Sequence, residues 1–198
     1  MTRKTVLVTA FEPFGGESLN PSEKVLCSLP DAAYGLSVRK LLLPVEFRRS
    51  LALAAAAFEA IRPDALVMLG QAGGRSAVTP ETTARNEMNA RIPDNAGFRP
   101  EHLPVVEGGP ETCRSTLPLE AILRETACRG IPCELSGDAG TYVCNALFYG
   151  MLHRLQGAVP AGFIHLPYIR EQGREPFLEL ETLLQAADAV LHCLAPAV

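Results

Sequence analysis

The sequence predicts an α/β protein, a three-layer α/β/α sandwich built on a mostly parallel, twisted sheet. Three observations lead to this fold class. The chain has 198 residues and is 47% hydrophobic, which suits one domain over residues 1–198 with a sizeable core. Short apolar runs alternate along it with longer segments of helical periodicity. No internal repeat is visible, so the alternation indicates strand-helix-strand units, whose strands pair in parallel.

Four segments have the composition of buried strands. Each is seven or eight residues long, mostly apolar, and flanked by Pro, Gly or Asp. A continuous apolar run is typical of a strand that helices cover on both faces. These strands are predicted at residues 4–10, 36–43, 64–70 and 162–168.

The predicted helices lie between and after these strands. The first has the clearest start, because Asn20 is a good N-cap, Pro21 fits the first helical position and Glu23 places a carboxylate in the first turn. The others are recognised by apolar residues at three- and four-residue spacing. They are predicted at residues 46–62, 117–129, 140–156 and 176–194.

Residues 71–115 interrupt this alternation. The segment starts near the glycine-rich GQAGGR, contains several prolines, and has little helical periodicity. A segment of this length without regular structure is uncommon in a compact domain, and such segments are often functional. We therefore expect this segment to contribute to the functional site.

Charge and cysteine content narrow the class of partner. A net charge of −4 without a basic cluster argues against nucleic acid or a membrane surface as a partner. The longest apolar stretch, residues 51–58, is too short to span a bilayer, and the N-terminal one is too short for a signal peptide. The six cysteines lack CxxC spacing and are expected to be free thiols without structural zinc. These features predict a soluble, cytoplasmic protein with a small partner.

Sheets of this kind place functional residues at the carboxyl ends of their strands. FEPFGG follows the first strand, GQAGGR follows the third, and His165 lies near the end of the last. Cys144 falls near the start of the preceding helix, where the helix dipole is expected to lower the pKa of the thiol. The structural alternatives are a small packing cysteine and a hydrogen-bonded core histidine.

Four longer stretches resemble the signature sequences of one family. They are TAFEPFGGESLNPSEKV, GQAGGRSAVTPETTARNEMNARIPDN, SGDAGTYVCNALFY and AGFIHLPYI, in this order along the chain. They are similar to pyroglutamyl peptidase I, the pyrrolidone-carboxylate cysteine peptidase family. The resemblance implies an α/β/α fold, removal of N-terminal pyroglutamyl residues from peptides, and a homotetramer in many bacteria.

The same resemblance implies a catalytic triad with Cys144 as nucleophile, His165 as base and Glu81 as the orienting carboxylate. These residue types suit amide hydrolysis through a thioester acyl-enzyme, which needs a nucleophile, a base, and a group that holds the tautomer of the base. Glu81 lies in the irregular segment, where a glutamate is usually a solvated surface charge, so its role depends mostly on the resemblance. The chain departs from the family pattern at Ala10 and Ala146, neither of which belongs to the triad.

The substrate group, pyroglutamate, is an uncharged five-membered lactam with one N–H donor and one carbonyl acceptor. Phe11 and Phe14 are suited to the walls of an aromatic slot for this ring, with core packing as the alternative. The backbone around Gln71 is placed to supply hydrogen bonds to the lactam. Arg91 is a candidate stabiliser of the tetrahedral intermediate, with a structural ion pair as the alternative. No metal or organic cofactor is expected, because no ligand cluster has metal spacing.

Three other functions compete with this interpretation. A phosphate- or nucleotide-binding protein is disfavoured, because neither FEPFGG nor GQAGGR matches GxGxxG or GxxxxGK[ST]. A related cysteine amidase that acts on another lactam or cyclic amide could use the same triad. A catalytically silent binding module is disfavoured, because all three triad positions are intact.

Overall fold

The computed structural model describes residues 3–195. Its strands are β1 (Thr5–Phe11), β2 (Ala32–Ala33), β3 (Leu36–Leu43), β4 (Ala65–Gln71), β5 (Thr79–Pro80), β6 (Thr83–Arg85), β7 (Thr112–Arg114), β8 (Ala161–Leu166), β9 (Tyr168–Ile169) and β10 (Phe177–Leu178). Its α-helices are α1 (Pro21–Ser28), α2 (Phe47–Ile61), α3 (Leu119–Cys128), α4 (Val143–Leu155) and α5 (Leu180–Leu194), and a 3-10 turn spans Arg170–Gln172.

The main sheet has six strands in the order β2, β3, β1, β4, β8, β5. Its four central strands run parallel, and the two-residue strands β2 and β5 at its edges are antiparallel to their neighbours. Strands β1, β4 and β8 are buried along almost their whole length, which is why their sequences are continuous apolar runs. The predicted fold class is confirmed.

Helices cover both faces of this sheet. Helices α1, α3 and α5 pack on one face against residues such as Val8 and Val67. Helices α2 and α4 pack on the other face against residues such as Leu7 and Met68. Adjacent strand residues therefore point to opposite layers, as the two-residue period of a strand requires. Within residues 3–195, no helix is long and apolar enough to cross a membrane.

The start of α1 holds the loop that follows β1. The Asn20 side-chain oxygen accepts a hydrogen bond from the Ser22 N–H at 3.0 Å, as expected of the predicted N-cap. The Asn20 amide also donates to the Glu12 carbonyl oxygen at 3.0 Å, and the Phe11 N–H donates to the Ser22 hydroxyl at 3.2 Å. The cap thus fixes the chain where it leaves the carboxyl end of β1.

The predicted helices and strands are present, and most of their ends lie within two residues of the predicted bounds. Two predicted helix starts are wrong by more. The helix predicted at 140–156 begins at Val143, and the helix predicted at 176–194 begins at Leu180 because β10 occupies the residues before it and pairs with β9.

The strands that the sequence does not predict are β2, β5, β6, β7, β9 and β10, each two or three residues long. Three of them lie between residues 71 and 115, where β5 extends the main sheet beside β8 and β6 pairs with β7. Such short strands exist because a partner strand lies beside them, so no local sequence pattern reveals them.

Candidate active site

The carboxyl ends of β4 and β8 lie side by side. On β8, His165 pairs with Gly70 of β4 and, on its other side, with Thr79 of β5. Nδ1 of His165 lies 2.7 Å from Oε1 of Glu81. The backbone N–H of Glu81 donates to the Phe163 carbonyl oxygen at 2.8 Å, which holds Glu81 beside β8. Both side chains are buried, with exposed fractions of 4% for His165 and 0% for Glu81.

This hydrogen bond sets the tautomer of the imidazole. An ionised carboxylate only accepts hydrogen bonds, so Nδ1 of His165 carries the proton and donates it to Glu81. Nε2 then keeps a free lone pair, which is the state that a general base requires. The imidazole is therefore oriented by a carboxylate and ready to accept a proton on its far side.

Cys144 approaches the same strand ends from the helical layer. It is the second residue of α4, and a Cβ placed on Gly70 would lie 3.0 Å from its Sγ. The thiol thus lies over the β4 residue that pairs with His165. Among the described residues no hydrogen bond joins the thiol to the imidazole. Catalytic hydrogen bonds are often long before substrate binds, so this geometry is compatible with proton transfer between the two groups.

The pKa of the Cys144 thiol is raised, so the predicted lowering by the helix terminus is wrong. Burial disfavours the thiolate, and the nearby charge of Glu81 disfavours it further, which raises the pKa of Cys144 to about 12. The Cys144 backbone amide and the positive charge of Arg75 act in the opposite direction but are weaker. Burial of the thiol raises its pKa by more than the position at the start of α4 lowers it.

The other two groups have lowered pKa values. Burial lowers the pKa of His165, although Glu81 favours the imidazolium. Burial opposes ionisation of Glu81, but the hydrogen bond and charge of His165, with a contribution from Arg75, outweigh it and lower the pKa of Glu81. Near neutral pH the site therefore holds a thiol, a neutral imidazole and a carboxylate, and a nucleophilic attack requires the imidazole to take the thiol proton.

The N-terminus of α4 is fixed by Asn145, the residue after the thiol. Its Oδ1 accepts from the Arg85 N–H at 2.9 Å, and its Nδ2 donates to the carbonyl oxygens of Arg85 and Glu87 at 2.9 and 2.8 Å. The Thr141 hydroxyl donates to the Asn89 carbonyl oxygen at 2.8 Å. First-turn amides have no intrahelical partner, so those of α4 are available beside the thiol for an oxyanion.

Comparison with known proteins identifies the family. A family model described as pyroglutamyl peptidase matches residues 4–193. The chain is 44% identical to a pyrrolidone-carboxylate peptidase from Brevibacillus brevis, with 96% of this chain and 92% of that protein covered. It is 45% identical to a pyrrolidone-carboxylate peptidase from Gloeobacter violaceus, with 96% of each covered. The chain belongs to the pyroglutamyl peptidase family.

Solved structures of pyroglutamyl peptidases share the fold of this family member. The crystal structure of pyroglutamyl peptidase I from Bacillus amyloliquefaciens matches with a TM-score of 0.93 at 39% identity, over 98% of this chain and 96% of that one. A mutant pyrrolidone carboxyl peptidase from Pyrococcus furiosus matches with a TM-score of 0.92 at 38% identity, over 96% and 97% of the two chains. The family resemblance predicted from the four sequence stretches is confirmed.

Two of the predicted substrate-binding residues of this pyroglutamyl peptidase line a cavity of about 480 Å³ beside the start of α4. Phe14 forms one wall and faces Tyr142 with ring centroids 6.0 Å apart. Arg91, an exposed residue, also lines the cavity, together with Asn89, Ile92 and residues 140–142. The cavity is mostly apolar with a single cation, which fits a small uncharged ring next to a polar amide.

The other two predicted substrate-binding residues do not line this cavity. Phe11 is 2% exposed and packs against Phe163 with ring centroids 6.5 Å apart. The Gln71 side-chain oxygen accepts a hydrogen bond from Nε2 of Gln172 at 2.9 Å, while its backbone ends β4 beside the site. Contacts of Phe11 and Gln71 with the substrate stay predictions.

Replacement of Gly70 by Ala is expected to disturb the site directly. The new Cβ would lie 2.7 Å from Cζ of Phe163 and 3.0 Å from Sγ of Cys144, and overpacking of this kind costs about 1–3 kcal/mol. We expect a lower melting temperature and a large loss of activity. Gly137→Ala is the matched control, because its nearest contact is Oγ1 of Thr82 at 3.7 Å. Equal activity in the two variants would contradict the placement of the thiol above Gly70.

Three residues of the site were not identified from the sequence. Gly70 has no side chain and so leaves room for the thiol of Cys144. Asn145 anchors α4, and Arg75 donates to Oε1 of Glu81 at 2.6 Å. Asn145 could have been found as a polar residue in an apolar helix. Arg75 gives only a weak signal, a cation among the glycines of GQAGGR, because its carboxylate partner is defined by the tertiary fold.

A larger cavity, of about 720 Å³, lies away from the three candidate catalytic residues. It is bounded by Tyr34, by α3 and by the end of α5, and its walls include Cys128 and His192. Size alone does not make it the active site, because the stretches that resemble the family contain Cys144 and His165, and neither residue lines this cavity. Within residues 3–195, no group of three or more metal-ligating side chains could hold a metal ion.

Proposed function

We propose that Cys144, His165 and Glu81 are the catalytic triad with which this family member removes the N-terminal pyroglutamyl residue from peptides. The observation that carries this proposal is the buried 2.7 Å hydrogen bond between Glu81 and His165, next to a thiol that lies over the paired Gly70. A nucleophile, a base and an orienting carboxylate are the components of amide hydrolysis by covalent catalysis. Membership of the pyroglutamyl peptidase family supplies the substrate class.

The first half of the reaction forms the acyl-enzyme. Nε2 of His165 takes the thiol proton while Sγ of Cys144 bonds to the carbonyl carbon of the pyroglutamyl residue. The carbonyl oxygen becomes an oxyanion, which the free amides at the start of α4 stabilise. The C–N bond then breaks, and the leaving amine receives the proton from His165. The products of this step are a thioester on Cys144 and the shortened peptide.

The second half of the reaction hydrolyses the thioester. Nε2 of His165 takes a proton from water, whose oxygen bonds to the thioester carbon, and the C–S bond breaks after a second oxyanion has formed. The thiolate recovers the proton from the imidazolium, and pyroglutamate leaves. Throughout the cycle the negative charge of Glu81 stabilises the imidazolium that forms transiently. These steps require no metal or organic cofactor, so we expect activity to survive exhaustive treatment with a chelator.

The proposed function is tested with a panel of chromogenic amides that carries pyroglutamyl, prolyl and glutaminyl groups. The lactam is uncharged, whereas prolyl and glutaminyl groups bring an ammonium into a mostly apolar cavity, and burial of an unpaired charge costs several kcal/mol. We therefore expect kcat/KM for the pyroglutamyl amide to exceed the others by thousands-fold. Hydrolysis of another lactam or cyclic amide in preference to pyroglutamyl would indicate the related amidase instead. Absence of hydrolysis of every amide would indicate a binding module.

Replacement of Phe14 by Ala tests the cavity beside α4 as the binding site of the lactam ring. Loss of one aromatic wall is expected to raise KM for the pyroglutamyl amide and to reduce its preference over the prolyl amide. Thermal stability should change less than for loss of a core residue, because Phe14 is only partly buried. Unchanged selectivity together with a much lower melting temperature would make Phe14 a core residue and would place the ring elsewhere.

The lowered pKa of His165 predicts the pH dependence of activity. The imidazole must be neutral to take the thiol proton, so kcat/KM should fall on acidification with a midpoint below the ordinary histidine value of about 6.5. Because the pKa of Cys144 is raised, the free protein near neutral pH should show no ultraviolet thiolate absorbance relative to Cys144→Ala. A thiolate band that titrates below pH 7, or an acid midpoint above the ordinary histidine value, would contradict this protonation scheme.

We further propose that residues 1–198 form one peptidase domain, that the protein is cytoplasmic, and that it assembles as a homotetramer. All six cysteines are free thiols, which suits a reducing compartment. A net charge of −4 suits peptide substrates better than nucleic acid or a membrane surface. Light scattering of the purified protein tests the oligomeric state.

A further inference from the structure

The guanidinium of Arg75 contacts three parts of the site. Its Nη1 donates to Oε1 of Glu81 at 2.6 Å and also to the hydroxyl of Thr79. Its Nη2 donates to the Asp138 carbonyl oxygen at 2.9 Å. The side chain is 25% exposed, so the group that makes these contacts is largely withdrawn from solvent. One rigid, planar cation thus joins segments that are distant in sequence.

Two of these contacts converge on His165. Oε1 of Glu81, which Arg75 binds, is also the atom that lies 2.7 Å from Nδ1 of His165. The Thr79 hydroxyl, which Arg75 also binds, donates to the His165 carbonyl oxygen at 3.4 Å. Arg75 therefore acts on the ring of His165 through the carboxylate of Glu81. It acts on the backbone of His165 through the hydroxyl of Thr79.

The third contact concerns the nucleophile. Asp138 belongs to the loop that leads into α4, and the Asp138 side chain accepts a hydrogen bond from the Gly140 N–H at 3.0 Å. The bond from Arg75 to the Asp138 carbonyl oxygen ties this loop to the Glu81–His165 pair. The separation between base and nucleophile depends on this loop, because Cys144 is the second residue of the helix that follows it.

We propose that Arg75 is a positioning residue of the peptidase reaction, which aligns Glu81 with His165 and ties that pair to the loop before Cys144. This inference rests on the proposed function. Oε2 of Glu81 is buried without a hydrogen-bond partner among residues 3–195, so Arg75 and His165 bind the same oxygen of the carboxylate. The guanidinium adds a second hydrogen bond to Oε1, so the orientation of the carboxylate does not depend on His165 alone.

The charge of Arg75 gives a second readout. Burial is the largest influence on both pKa values, and it raises the pKa of Glu81 but lowers the pKa of His165. Arg75 lowers both pKa values, since it favours the carboxylate and disfavours the imidazolium. Loss of this cation should therefore raise the pKa of His165 while Glu81 remains ionised. The shift in the pKa of His165 reports the charge of Arg75 beside the pair, and the fall in kcat reports its positioning role.

The test compares Arg75→Met and Arg75→Lys with the wild type on a chromogenic pyroglutamyl amide. For Arg75→Met we expect kcat to fall about a hundredfold, because a small misplacement of catalytic groups has effects of this size, while KM changes little. The acid limb of its kcat/KM profile, the fall in kcat/KM on acidification that reports the pKa of His165, should move to higher pH. Arg75→Lys keeps the charge without the planar geometry, so kcat should fall while the acid limb stays in place.

A double mutant and a matched control sharpen this test. In the Glu81→Gln background, Arg75→Met should lower kcat by a smaller factor than it does in the wild type, because the two changes share the contact between Arg75 and Glu81. Arg49→Ala removes an exposed arginine whose Nη1 lies 3.2 Å from Oε1 of Glu46, and it should leave kcat and the acid limb unchanged.

A folded Arg75→Met variant with the kcat and acid limb of the wild type would overturn the proposal, and so would one that matches Arg49→Ala. If Arg75→Met does not fold, Arg75→Lys decides, since a lysine variant with wild-type kcat would overturn it equally. Wild-type activity in the same assay separates the two claims. An inactive wild type contradicts the proposed function, whereas an active wild type with an unaffected Arg75→Met variant contradicts the role of Arg75 alone.

Discussion

Cys144→Ala is expected to abolish hydrolysis of pyroglutamyl amides, with kcat reduced at least about ten-thousandfold, as for loss of the nucleophile in other covalent hydrolases. The variant retains the base and the carboxylate but has no sulfur with which to form the thioester. The fold should change little, because Cys144 lies at the start of α4 and its helix is anchored by Asn145. The measurement is kcat on a pyroglutamyl amide, alongside thermal melts.

Cys128→Ala is the control for Cys144→Ala. Cys128 is an exposed free thiol at the end of α3, outside the site, so its loss should leave kcat unchanged. Iodoacetamide should inactivate the control as it inactivates the wild type, because Cys144 is still present. A Cys144→Ala variant that keeps a tenth of the wild-type rate would show that another group is the nucleophile.

Glu81→Gln is expected to lower kcat by about a thousandfold or more while KM changes little, as for loss of the orienting carboxylate in a triad. The amide keeps the shape of the side chain but removes the negative charge that stabilises the imidazolium. That charge has a large effect because both Glu81 and His165 are buried. The measurement is kcat and KM on a pyroglutamyl amide.

The chain offers a matched control for Glu81→Gln. Glu87 also binds a histidine, with Oε1 at 2.7 Å from Nδ1 of His102, but this pair is largely exposed. Glu87→Gln removes the same charge from the same kind of contact, and it should leave kcat near the wild-type value. Similar kcat values for the two variants would show that Glu81 has a structural role and is not part of a catalytic triad.

Much of the fold follows from sequence because the central strands are locally distinctive. Strands β1, β3, β4 and β8 were predicted within two residues of their observed ends. Each pairs in parallel, and β1, β4 and β8 carry the nearly continuous apolar run of a strand that is buried on both faces. β5 could not be found in this way. It consists of Thr79 and Pro80 alone, and it is a strand because it pairs with β8.

The sequence predicts those residues of the site that lie at the ends of strands and helices. Cys144 and His165 were found from their positions and from the family resemblance, whereas Glu81 depended almost entirely on the resemblance. The structure brings Glu81 to His165 through pairing of the irregular segment with the edge of the sheet. Arg75 could not be assigned, since its three partners meet only in the folded chain.

The pKa of Cys144 shows why local rules fail at a buried site. Its position at a helix start predicts a lowered pKa, whereas its surroundings in the structure raise the pKa. Burial of the thiol and the charge of Glu81 are both tertiary effects, and both disfavour the thiolate. A buried, neutral thiol therefore depends on His165 for activation, which makes the triad geometry more important than the helix dipole.

Covalent labelling with pyroglutamyl chloromethyl ketone tests Cys144 as the nucleophile. The reagent carries the proposed recognition group. The sulfur of the nucleophile bonds to its chloromethyl carbon and chloride leaves, and peptide mapping then identifies the labelled residue. We predict inactivation in step with one label per chain, on Cys144 and on none of the other five cysteines, with slower labelling in His165→Ala. Inactivation that accompanies a label on any other residue, with Cys144 unmodified, would show that Cys144 is not the nucleophile.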